Sequence, residues 1–447
     1  MTAGGRTGGR RRGDPRGRRR WLGPLLVVVG VAAVLIALMP RTGGAGADAS
    51  PSPAGLVPVI VPGLSVSPPV STGPPPEPGH EMYGFLPYWE MDDTIADHLE
   101  ETDLSTLALF SVTHRRDGSM ATTQNGYRRI TGDVGRTLVR EAHDRETRVE
   151  IVYTSFGEPK NRRFYDDPAA QAAWIETLVD FVEEQGVDGV SVDVELLPFD
   201  LVPAYGQFVG QLRAALVARL PDAQVSVATQ ANESGAAMAA AAAQAGADRI
   251  FMMGYDYHWA GSQPGASAPL ERRDGEAKDL RWSLDLYAAL GVPVERTLLG
   301  LPLYGITWPV EGPELGDFAT GRGDGWVPRR NLGVLDDPDF EPTLDPIEQV
   351  EFYAVRADGT DQPDEATELP VEPGVDPSAA GSLEPAPPTG GWNAVYFDSP
   401  RSLTPKLALA DERGLAGAGF WAIGYERGLP GYTDLIETFR AGEIRAP

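Results

Sequence analysis

Two carboxylates two positions apart, Asp193 and Glu195, end a short valine-rich run, Asp188-Gly-Val-Ser-Val-Asp-Val-Glu195. Side chains of an extended strand alternate faces, so Ser191, Asp193 and Glu195 share one side while Val190, Val192 and Val194 share the other. The valine face asks for burial against helices, and the acidic face must open onto something polar. In a closed parallel barrel that place is the mouth at the C-terminal ends of the strands. The chemistry such a pair supports is proton transfer: one carboxyl kept protonated near neutrality by burial, with a like charge beside it that raises its pKa further. On this reading Glu195 is the acid and Asp193 supplies the like charge. Asp188 has the opposite parity and is expected to be a structural hydrogen-bond acceptor.

The elements that must position this pair follow from periodicity. From Met82 onward, short apolar runs alternate with helical stretches, the pattern of repeated βα units around a parallel sheet. Eight such runs are predicted: Tyr83 to Pro87, Thr106 to Val112, Val149 to Thr154, Gly189 to Glu195, Gln224 to Thr229, Arg249 to Met253, Thr297 to Leu303 and Gly417 to Ala422. Asp167-Pro168 offers an N-cap and a first-turn proline to a helix that Gly186 ends. Eight strands with helices between them close most economically as an α/β (β/α)8 TIM barrel, here over residues 81–447. The interval 305–391 is too long for a bare connection and reads as a small inserted α+β lobe between strand 7 and helix 7, without regular structure around Asp361 to Thr389.

The amino terminus has a different character. Eight arginines between Arg6 and Arg20 precede an uncharged apolar run from Trp21 to Met39, long enough for a membrane-spanning helix. The charge asymmetry predicts a basic cytoplasmic tail (1–20), a transmembrane signal anchor (21–40) and the bulk of the chain outside a bacterial cell membrane. Cleavage near Ala47 and release is the alternative. A Pro- and Gly-rich linker (41–80) would hold the barrel away from the membrane. The net charge of −26 becomes about −34 once the first 41 residues, with nine arginines and one aspartate, are set aside. Nucleic acid is therefore not an expected partner. With no cysteine in the chain, a disulfide framework, a thiolate metal site and a cysteine nucleophile are excluded. No His pair stands at metal-ligand spacing, so neither metal nor cofactor is expected. A monomer is.

Several ordered motifs resemble glycoside hydrolase family 18, the chitinase-like enzymes, with their spore-cortex and peptidoglycan branch nearest in character. Asp188, Asp193 and Glu195 match the pattern Asp-x-x-Asp-x-Asp-x-Glu, and Ser191 stands where that pattern usually has aspartate. Met253-Gly-Tyr-Asp256 matches Met-x-Tyr-Asp. Leu299 to Gly305 resembles the seventh strand, and Val395 to Ser402 followed by Gly417 to Gly424 the last βα unit. The resemblance implies an exported hydrolase that cleaves β-1,4 linkages at N-acetylglucosamine residues of chito-oligosaccharide or peptidoglycan glycan, by a retaining mechanism in which the sugar's own acetamide attacks. It implies Glu195 as proton donor, with Asp193, Tyr255 and Asp256 holding the acetamide and the distorted ring. Trp421 would stack under the sugar, and Tyr88, Trp89, Phe156, Met253 and Ser191 would complete the binding surface. The missing carboxylate at Ser191 implies weakened catalysis or a shifted pH optimum. A barrel of the same lineage that grips N-acetylated glycans without cutting them is the alternative reading.

Overall fold

The computed structural model describes residues 79–335, 337, 340–357 and 391–445. The expected cytoplasmic tail and membrane-spanning helix, the linker up to residue 78, and the segment from Asp361 to Thr389 lie outside these residues. Among the described residues no helix is long and apolar enough to cross a membrane.

Among the described residues thirteen strands run in chain order: β1 (Glu81–Pro87), β2 (Thr106–Val112), β3 (Arg148–Phe156), β4 (Gly189–Glu195), β5 (Gln224–Gln230), β6 (Arg249–Met253), β7 (Thr297–Pro302), β8 (Gly305–Val310), β9 (Asp324–Trp326), β10 (Thr343–Asp345), β11 (Val350–Arg356), β12 (Trp392–Phe397) and β13 (Gly417–Trp421). Eight of them close a parallel barrel in the order β1-β13-β7-β6-β5-β4-β3-β2. These are the eight runs expected from sequence, with ends moved by a residue or two.

Both faces of each barrel strand are buried, as parallel pairing with helices outside requires. Val190, Val192 and Val194 of β4 are buried in the core shared with the surrounding helices, while Tyr83, Phe85, Ala108, Phe110, Val152, Ala228, Phe251 and Leu298 form a separate cluster inside the barrel. The helix before β4, Pro168–Gln185, starts and stops as its residues dictate. Asp167 accepts from the backbone of Ala169 and Ala170, both at 3.1 Å, and Gly186 closes the helix at φ 66. A left-handed residue costs glycine no Cβ clash.

Two aspartates placed just before strands set the lower end of the barrel. Asp188 Oδ2 accepts from the backbone of Val149 at 2.7 Å and lies 2.8 Å from His143 Nε2. Asp248 does the same before β6, accepting from the backbone of Val225 at 2.9 Å and from Arg213 at 3.0 and 3.2 Å. Each carboxylate takes up the N–H of a neighbouring strand's second residue, a buried donor that needs an acceptor.

Between β7 and the helix Pro400–Glu412 the chain builds a five-stranded antiparallel sheet ordered β10-β11-β12-β8-β9. The lobe extends past the expected boundary at 391: β12 is its central strand, and Val395 to Phe397 lie in this sheet, not in the barrel. Strand alternation gives the lobe two buried faces. Ile306, Trp308, Phe352 and Tyr396 join the main core, and Trp326, Tyr353, Val395 and Phe397 form a core of their own.

Candidate active site

Glu195 is the last residue of β4 and is partly exposed at the barrel mouth. Its backbone carbonyl is held by the Asn161 side chain at 2.6 Å and by the Gly157 N–H at 3.2 Å, and Ser155 Oγ bonds Asn161 Oδ1 at 2.7 Å. The strand end is thereby fixed from the β3 side. Gln230, at the end of β5, donates to Glu195 Oε2 at 3.4 Å. Burial and then the charge of Asp256 push the Glu195 carboxyl up to about 7, with the Gln230 bond opposing. An acid in that range is still protonated near neutrality and gives up its proton readily. The neighbouring charge comes from Asp256 in the loop after β6, a contributor that strand parity along β4 does not reveal.

Asp256 holds that place under backbone strain. Its φ is 62, in the left-handed region that non-glycine residues seldom occupy and that concentrates at functional sites. Ser267 Oγ receives its N–H at 3.0 Å, and the Tyr304 hydroxyl donates to Oδ1. Although the residue borders solvent, protein crowds its carboxylate, and this desolvation raises its pKa while Tyr304 and Ser267 pull it back.

The loop carrying Asp256 is bolted to the lobe. Glu348 accepts from the backbone of Ala266 at 2.7 Å and of Arg273 at 3.0 Å, and the Arg273 guanidinium forks onto Asp345. Buried His258 bonds Gln263 O at 2.8 Å, with its other nitrogen 3.6 Å from Glu348. It is a loop residue with a bracing position. On the other side Arg329 of the lobe reaches Glu90 and Asp92 beside β1, and its N–H donates to Tyr425 O at 2.8 Å.

Tyr255 stands among the acids. The charges of Asp193, Asp256 and Glu195 act on its hydroxyl after burial does, keeping it protonated and able to donate. Its ring meets Tyr304 edge-on at 6.2 Å. Asp193 is 5% exposed, on the barrel-facing side of β4 in register with Thr154 and Ala228. The floor is aromatic. Trp421 is partly exposed and packs on Phe110 at 4.8 Å, Phe85 at 5.8 Å and Trp89 at 6.3 Å. Trp89 is fixed by its indole N–H on Tyr425 Oη at 3.1 Å and by Tyr88 at 4.9 Å. Phe156 ends β3 opposite Glu195, and Met253 packs with it against the cluster inside the barrel.

Ser191 is the one expected contact residue that the fold withdraws. It is 0% exposed, between Val152 and Ser226 in register and one layer below Asp193, out of reach of anything in the mouth. Inspection of the sequence missed Tyr304, Gln230 and Asn161. Tyr304 lies within a quoted motif, but its role depends on a loop returning to it from β6. Among the described residues no group of three or more His, Asp or Glu side chains is placed to hold a metal ion.

Residues 87–426 match the family described as "Glycosyl hydrolases family 18". Over 146 residues the chain is 27% identical to the "Putative sporulation-specific glycosylase YdhD" of Bacillus subtilis, covering 32% of this chain and 33% of that protein. Over 179 residues it is 28% identical to "Probable chitinase 2" of Drosophila melanogaster, covering 39% and 33%. The matches thus span about a third of the length of these curated relatives. Among solved structures, the Bacillus cereus spore cortex-lytic enzyme SleL is similar with a TM-score of 0.57 at 19% identity, over 80% of this chain and 74% of that one. The Ostrinia furnacalis Group IV chitinase, solved in complex with allosamidin, is similar with a TM-score of 0.63 at 16% identity, over 82% and 100%. At such identities the structural likeness speaks to the fold.

Proposed function

Because the chain belongs to glycosyl hydrolase family 18, we propose that it is a glycosidase that cleaves β-1,4 linkages at N-acetylglucosamine residues by the retaining, substrate-assisted route known for that family. The observation that carries the reading is Glu195: a carboxyl at a strand end in the open mouth, pushed up to about 7 by burial and Asp256, above an aromatic floor. The leaving oxygen takes the Glu195 proton as its bond to the anomeric carbon breaks. The acetamide carbonyl oxygen of the same sugar forms the replacing bond, giving a cyclic oxazolinium. Water then attacks the anomeric carbon, returns one proton to Glu195 and reopens the ring with net retention. Asp193 and Tyr255 hold the acetamide nitrogen and carbonyl. Asp256, braced by Tyr304, orients the ring and keeps Glu195 protonated until the leaving oxygen needs it. Trp421 stacks beneath the sugar face.

Chito-oligosaccharide and the glycan of peptidoglycan both carry the required acetamide. The similarity to spore-cortex proteins and the basic, apolar amino terminus favour a cell-wall substrate met outside the membrane, with the barrel tethered as a monomer. Incubation of the full chain and its Glu195→Gln variant with chitin oligosaccharides and with peptidoglycan, followed by mass spectrometry of the products, tests this. Hydrolysis by the parent, lost in the variant with glycan binding retained, supports the enzyme. Binding by both and cleavage by neither supports the glycan-binding alternative.

A further inference from the structure

A second acid lies inside the barrel, below the site, with no part in the reaction described above. Glu150 of β3 is 0% exposed. In register it stands beside Gly189 of β4. Its carboxylate accepts from the Tyr83 hydroxyl of β1 at 2.6 Å and from Ser226 Oγ of β5 at 2.9 Å. Strands β1 and β5 lie across the barrel from each other, so the carboxylate sits near the axis. Ser191 Oγ completes the picture: it faces the Tyr83 hydroxyl and acts on it, yet it is buried without a hydrogen-bond partner among the described residues. An unsatisfied buried hydroxyl beside a hydroxyl already committed elsewhere marks a network with a second arrangement available.

We propose that Glu150 is a positioning residue for the reaction: it supplies from the third strand the buried carboxylate that β4 lacks at Ser191, and acts on Asp193 through the hydroxyls of Tyr83 and Ser191. The inference rests on the hydrolase reading for its kinetic consequences only. With Glu150 ionised, Tyr83 donates down to it. With Glu150 protonated, its O–H donates to the Tyr83 oxygen, Tyr83 is released to donate to Ser191, and Ser191 turns its own O–H upward along the face that carries Asp193. One proton at the barrel floor thus sets the direction of donation below the residue that braces the acetamide. Burial pushes the Glu150 carboxyl up to about 7, with the bonds from Tyr83 and Ser226 opposing, so the reversal falls in the working range of pH. The other charges facing it are Arg148 on its own strand, Asp248 before β6, and Arg249 of β6, which is itself paired with Glu81 of β1. All are at the lower end of the barrel, away from Asp193.

Two readouts test this. The first needs no substrate: infrared titration of isotope-labelled aspartate carboxyls in the parent, Glu150→Gln and Tyr83→Phe, with Asp193→Asn identifying the Asp193 band. Glu150→Gln is expected to lower the Asp193 midpoint by half a unit or more, and Tyr83→Phe to shift it as well. The second is the pH profile of hydrolysis. Glu150→Gln is expected to lower kcat at least ten-fold with KM within two-fold, and Ser191→Asp added to it is expected to restore part of the loss. Unchanged Asp193 titration in both variants overturns the proposal, as does a fall in melting temperature with kcat unaltered. Should Glu150→Gln fail to fold, Tyr83→Phe decides alone, and an unshifted Asp193 midpoint there sinks the idea. If the parent hydrolyses nothing, the hydrolase reading falls while the titration still judges Glu150.

Discussion

The floor and the rim of the barrel each hold a glutamate pushed up to about 7, and they reach that value differently. Glu150 at the floor is fully enclosed and satisfied by two hydroxyls, so its proton affinity comes from desolvation held in check by donors. Glu195 at the rim has one long bond from Gln230, touches solvent, and owes part of its shift to the charge of Asp256. The floor is a closed polar network whose cost is set by burial. The rim is open on one side, which a substrate can fill. A raised pKa alone therefore does not mark the reacting acid; access and the like-charged neighbour do.

The comparison can be broken first at the floor. Both acids bind their proton more tightly folded than unfolded, so between the ordinary value of 4.5 and about 7 the native state keeps protons that the unfolded chain has shed. Stability is then highest below that window, declines as pH rises through it, and levels off above about 7. The Glu150 share of the decline is on the order of 3 kcal/mol. Glu150→Gln removes it, and urea midpoints at pH 5 and pH 8 should differ less in the variant than in the parent.

At the rim, Asp256→Asn takes away the charge that raises Glu195. The alkaline limb of kcat/KM should move to lower pH, and kcat should fall about 100-fold because the ring loses its orienting carboxylate; a pH-rate series reads both. Trp421→Ala removes stacking area and should raise KM about ten-fold, near 1.4 kcal/mol, with a smaller loss in kcat. The smallest effect is expected outside both regions. Asp188→Ala leaves the Val149 N–H without its acceptor, costs about 1 kcal/mol of stability by denaturant melts, and leaves kcat unchanged.

Much of this was legible before any coordinates. Alternation along Asp188 to Glu195 gave the burial of the valines, the inward acids and the structural role of Asp188, because a two-residue period is a local property of extended chain. The eight strands were legible for the same reason, as was the helix capped by Asp167 and Gly186. The edge of the lobe was not. The run containing Val395 to Phe397 reads as a strand wherever it pairs, and only the sheet shows that it pairs with β8 and β11.

The sequence by itself determined which residues face inward on each strand, where strands and helices start, and that a carboxyl pair ends β4, since these depend on neighbours in the chain. Tertiary structure alone decided that Asp256 adds its charge to Glu195, that Ser191 lies beneath the site instead of in it, and that Glu150 shares the axis with Tyr83 and Ser226. Those are distances between residues far apart in sequence, fixed by barrel closure and by the lobe's hold on the loop after β6. A pKa responds to the charges and water around a group in space, and the order of residues does not reveal them.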